Sequence, residues 1–179
     1  MFSISAAPKK KLTQGLSYTV WMLLEEEQQN STFSHLTLMS VLAIHRYHQL
    51  CRNTYFVTGV GKKVGNRLIA MGQVVNALGA AKAEPLPGFH AFSGSNVTGR
   101  FAGKGKLSCW QALNRCSMEV VSAFAALGTR EELGVDTERA IETFVCQAYE
   151  PGTTVVDVGD LRWKLFSKKQ LETQKLPPT

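Results

Sequence analysis

The clearest strand-forming sequence in this chain is one stretch, "TYFVTGVGKKVGNRLIAM", from Thr54 to Met71. Aromatic and β-branched residues fill its first end, "RLIAM" returns as a second strand, and the glycines between them turn the chain, so it reads as a hairpin with Lys62 and Lys63 at a basic tip. The tip is not a nucleotide-binding loop, because no Gly-Lys-Ser/Thr opens a helix after it. "GQVVNALGAAKA" then has helical spacing. From Pro85 onward the pattern is mostly helical: "LPGFHAFSG", "KLSCWQALNRC", "SMEVVSAFAALG" capped by Ser117, "DTERAIETFVCQAYE" starting at Asp136, and a last helix from about Asp160 after the strand-like "TTVV". Upstream, "TLMSVLAIHRYHQLC" fits a strand, a helix, or one turning into the other, and Leu12 to Gln29 carries a helical apolar stripe weakened by Gly15. The expected architecture is therefore α/β in the front half and helical behind it.

With 179 residues, 44% of them apolar and 19% charged, the chain can bury a core and does not have the composition of a disordered protein. "YTVWMLL" is too short to span a bilayer and runs into Glu25, Glu26 and Glu27. No small-residue cleavage site follows it, so the expectation is an intracellular protein without membrane insertion. "PKKKL", from Pro8 to Leu12, resembles a basic nuclear-import signal. Cys51, Cys109, Cys116 and Cys146 form no Cys-x-x-Cys pair and no common zinc spacing, which predicts reduced, mostly buried thiols.

The net charge of +6 is unevenly spread. Residues 1 to 115 hold thirteen Lys and Arg against four Glu, whereas residues 116 to 179 hold seven against ten acids. A basic front of this kind suits a polyanionic partner, although a solvated basic face serves solubility equally well. Within it, "FAGKGKLSCWQAL" sets Gly103, Lys104, Gly105 and Lys106 immediately before a helix. Glycines let successive backbone N–H groups point one way, and a helix N-terminus adds partial positive charge, so the segment suits a phosphate. Arg100 and Arg115 extend the patch in sequence. The competing explanation is a tight turn between helices that needs glycine for geometry alone.

"LPGFHAFSGSNVTGRFAGKGKLSCWQALNRC" resembles the segment that, in flap-endonuclease-like nucleases of the PIN-like superfamily, joins a Gly-x-Asp metal motif to a helix-hairpin-helix DNA clamp. The nearer likeness is to mobile-element-derived animal proteins in which "GCD" or "GAD" precedes "GKGK". A strand lies upstream in those proteins, and Ser34 to Gln49 occupies its place here. The resemblance implies a divergent segment over residues 1–33 and a PIN-like unit over 34–179, with a partial sheet at 34–84 and a helical clamp region at 85–179.

The family's nucleases hold magnesium with clustered Asp and Glu, since hard divalent cations demand charged oxygens. The matching positions here are Leu36, Leu38 and Asn96, and the chain has no Asp before Asp136. Leucine cannot ligate magnesium, so the resemblance implies a pseudoenzyme that has lost its metal ligands and cofactor and keeps the clamp. His45 and His48, three apart, would share a helix face, and they read as a structural pair rather than metal ligands. His90 reads as a packed histidine. Trp21, Trp110 and Trp163 read as core rather than as stacking platforms, with Trp110, Leu107 and Leu113 on one stripe.

The resulting expectation is sequence-independent binding of a DNA or RNA phosphate backbone through Gly103, Lys104, Gly105 and Lys106, with Arg100, Lys62 and Lys63 as outer contacts. Two other expectations stay open: a protein-interaction scaffold that uses the helices after Cys116, and a residual metal-dependent nuclease.

Overall fold

The computed structural model describes residues 31–58, 67–94, 101–129, 132–168 and 175–178. The elements run from α1 (Ser31–His45) through a short 3-10 turn (Tyr47–Gln49) to β1 (Tyr55–Thr58) and β2 (Arg67–Ala70). Helices follow: α2 (Met71–Leu78), α3 (Ala80–Ala83), α4 (Leu86–Phe92), α5 (Lys106–Arg115), α6 (Met118–Ala126), α7 (Val135–Tyr149) and α8 (Val158–Ser167). The expected helix over Leu12 to Gln29, with Trp21, lies outside the described residues.

The hairpin forms as its sequence dictates. Tyr55 pairs with Ala70, Phe56 with Ile69 and Val57 with Leu68 in antiparallel register. Because side chains alternate along a strand, Phe56 and Ile69 reach the core together, while Tyr55, Val57 and Leu68 face outward. The tip with Lys62 and Lys63 lies outside the described residues.

Two strands are the whole sheet among the described residues, which is less than a PIN-like front half requires. The segment that the resemblance placed in a strand, Ser34 to Gln49, is instead mostly α1. Burial explains the helical choice. Val41 and Ile44, three apart, are 2% and 3% exposed, and α1 lies against α4 and α2. "TTVV" forms no strand, and residues 153–157 reach α8 as an irregular link.

An aromatic cluster holds the helical region together. Phe89 of α4 meets Trp110 of α5 and Phe124 of α6 edge-on at 5.7 Å each, and Phe124 meets Phe144 of α7 at 4.9 Å. Edge-to-face geometry sets the positive rim of one ring against the negative face of the next, contributing about 1 kcal/mol per pair beyond burial. Gly88 lets α4 approach α6 this closely, since a Cβ there would lie 2.0 Å from the Phe124 carbonyl oxygen. Ser117 caps α6 as expected, its hydroxyl accepting from the Val120 amide at 3.5 Å. For α7 the cap is Gly134 rather than Asp136, which sits inside the first turn, where its charge complements the helix dipole. Asp157 caps α8, accepting from the Asp160 amide at 2.8 Å.

All four cysteines are free. Cys109 and Cys146 are buried and Cys116 is half-buried, as expected, but Cys51 is exposed. Burial pushes the Cys109 and Cys146 thiols up to about 11. Among the described residues no helix is long and apolar enough to cross a membrane.

Candidate nucleic-acid interface

Residues Phe101 to Lys104 form a β-turn closed by the Lys104 amide donating to the Phe101 carbonyl at 3.0 Å. Gly103 stands third in this turn with φ +68°, a conformation that a Cβ would strain even though the space beside it is open. Gly105 follows as the N-cap of α5 and has no side chain to place over the helix end. The first bond of the helix runs from the Cys109 amide to the Gly105 carbonyl at 3.1 Å. The amides of a helix's first turn have no carbonyl partner inside the helix, and its N-terminal end carries the positive half of the dipole.

Aromatic packing fixes the position of this turn. Phe101 packs on Phe92 of α4 at 5.4 Å and on Tyr149, the last residue of α7, at 6.4 Å. The Tyr149 hydroxyl donates to the Ala102 carbonyl at 3.3 Å. Lys104, half-buried, lays its ammonium 5.3 Å from the centre of the Tyr149 ring. A cation over the electron-rich face of an aromatic ring is held there electrostatically.

Lys106 departs from expectation. Instead of presenting its charge outward, it is 8% exposed and turns into the protein. Its Nζ donates to the Gly94 carbonyl at 2.6 Å, the His90 carbonyl at 3.1 Å and the Ser93 hydroxyl at 3.4 Å, and lies 3.2 Å from His90 Nδ1. Two of these acceptors are carbonyls at the C-terminal end of α4, where a helix carries partial negative charge, so the ammonium caps that end. His90 is packed, as its apolar helix suggested, and it is also a partner of the lysine. Burial, and then the Lys106 charge, pull its pKa down to about 4. A neutral ring can accept at Nδ1 from the ammonium; a protonated ring could not.

The other expected residues scatter. Asn96 and Arg100 lie outside the described residues. Positions 36 and 38 fall on α1, and Leu38 is 41% exposed. In a strand two residues apart would share a face, whereas in a helix they stand about 200° apart around the axis. His45 ends α1 and His48 belongs to the 3-10 turn, so they share no helix. Among the described residues no group of three His, Cys, Asp or Glu could hold a metal ion.

Trp110 is core, at 4% exposed, with Leu113 at 3%. Trp163 is not: it stands 71% exposed on α8, with Phe166 at 51%. Charge along this part of the sequence also differs from the half-chain average. Residues 161 to 179 hold five Lys and Arg against one acid, Glu172, a basic end hidden by the acids of residues 116 to 160. Three of those acids, Glu138, Glu142 and Asp157, line a hollow of about 360 Å³ with Arg139, Val135 and Val156. That hollow disfavours phosphate.

Comparison with protein-family models, curated proteins and solved structures finds no match to this chain.

Proposed function

We propose that the chain binds nucleic acid without sequence preference, taking a backbone phosphate at the Gly103 to Gly105 turn and the N-terminus of α5. The observation that carries this reading is the turn itself. A glycine at positive φ stands two residues before a glycine N-cap, with Lys104 between them and no side-chain hydrogen bond from the cap itself. Lys104 supplies the full charge. Lys106 supports the site from inside, joining the start of α5 to the end of α4, and its ammonium is spent there rather than on phosphate. Lys62, Lys63 and Arg100 remain the outer contacts of the proposal.

The likeness of Leu86 to Cys116 to the clamp segment of flap-endonuclease-like, PIN-like nucleases supports a domain that retains a helix-hairpin-helix-type clamp. Leucine at positions 36 and 38 supports binding without cleavage, since neither can hold magnesium. The scaffold reading draws on the exposed Met118, Trp163 and Phe166 after Cys116.

Affinity for a fluorescent DNA duplex, measured across a range of salt concentrations for wild type and Lys104→Ala, tests the proposal. Loss of one phosphate contact weakens binding across sequences and reduces the salt slope by about one. An unchanged slope would remove Lys104 from the site, and failure of the wild type to bind at low salt would leave the scaffold. With magnesium added, the DNA is expected to stay intact on a denaturing gel; magnesium-dependent cutting would restore the nuclease.

A further inference from the structure

The outer face of α8 is the one place among the described helices where a tryptophan stands mostly in solvent. Trp163 and Phe166 are three residues apart, and Arg162 and Phe166 are four apart, so the three are neighbours on one side of the helix. Val158, Leu161 and Leu165 occupy the other side and are buried. The helix therefore satisfies its core without either exposed ring. Two aromatic rings left in water cost free energy that burial would recover, and no internal contact explains leaving them there.

The surroundings indicate what would cover them. Arg162 spends one of its five N–H groups on the Pro177 carbonyl. On α8 this charge stands beside Phe166 and Trp163. Lys168, at the C-terminal end of α8, is exposed. Lys164 is paired with Glu150 at 2.6 Å and adds little, and Asp160, one turn before Trp163, is the one acid within α8.

A ligand complementary to this face is anionic beside Arg162 and Lys168 and flat and apolar beside the rings. Every nucleotide of an unpaired strand combines these. A duplex hides its base faces and offers only the backbone. We infer that the outer face of α8 is a stacking platform on which Trp163 and Phe166 receive unpaired bases of a single strand whose backbone runs past Arg162. This rests on the proposed nucleic-acid reading and adds to it a strand preference and a second contact.

The test uses the full chain with fluorescein-labelled oligo(dT) and a mixed-sequence duplex of the same length, for wild type, Trp163→Ala, Trp163→Phe and Lys104→Ala. The inference expects Trp163→Ala to weaken oligo(dT) binding about tenfold with the salt slope unchanged, and to leave duplex binding as it was. Trp163→Phe should restore most of the loss, because a smaller ring still stacks. Lys104→Ala should lower the salt slope on both ligands. Equal affinity of wild type and Trp163→Ala for oligo(dT), or equal losses on single strand and duplex, would overturn the platform while leaving phosphate binding intact. Wild-type protein that binds neither ligand would overturn both readings. Concentration-dependent dimerisation in sedimentation, abolished by Trp163→Ala, would overturn the platform by assigning the face to a second copy of the chain.

Discussion

The junction of α4 with α5 and the outer face of α8 break the usual partition of side chains in opposite directions. At the junction a lysine is buried; on α8 a tryptophan and a phenylalanine are exposed. The difference lies in whether the protein itself supplies a partner. Lys106 finds two helix-end carbonyls, a hydroxyl and a ring nitrogen within reach, so its desolvation is offset locally. Trp163 and Phe166 stand mostly in solvent. The buried anomaly is compensated within the fold, and the exposed one is proposed above as a binding face.

Three measurements put that contrast to the test. Lys106→Ala should have the largest effect, lowering stability in urea denaturation by about 4 kcal/mol, because it strands buried acceptors at the end of α4 and leaves an unfilled space. A loss below about 1 kcal/mol would mean that the buried ammonium is dispensable, and the contrast would fail. Next comes pH. The His90 pKa is near 4 in the folded protein against an ordinary 6.5, so the unfolded chain takes up its proton first as pH falls. Stability contributed by the neutral ring is complete above pH 6.5, declines between 6.5 and 4, and levels off below, for a total of about 3 kcal/mol. His90→Gln has nothing to protonate there and should lack that decline; the same acid profile in both proteins would assign it to other groups. The smallest effect is on the other side of the comparison. Trp163→Ala should change stability by less than about 0.5 kcal/mol, since its ring contributes little to the core. A loss above about 2 kcal/mol would make Trp163 a structural residue and return α8 to the ordinary partition.

Local chemistry made much of this legible in the sequence. Alternation in "TYFVT" and "RLIA" specifies which face of the hairpin is buried, and Ser117 and the Gly103 turn declare themselves by residue type. What stayed hidden depends on distant partners. "TLMSVLAIH" is too short and too apolar for its period to decide, and packing on α4 selects the helix. Lys106 reads as one more surface cation until the end of α4, twelve to sixteen residues upstream, is placed beside it. Trp163 was hidden by a sound general rule, that tryptophan is mostly buried, and by averaging the basic final residues with the acidic helix before them.

The sealed thiols give the helical region a built-in clock. At pH 8 a thiol with a pKa near 11 is ionised in only about one molecule in a thousand, and at Cys109 and Cys146 no solvent reaches the sulfur's residue at all. An alkylating reagent therefore marks Cys51 on the intact molecule, while Cys109 and Cys146 react only when α5 or α7 opens. The order in which these sites acquire mass reports how often the helices that carry the glycine turn and Tyr149 come apart.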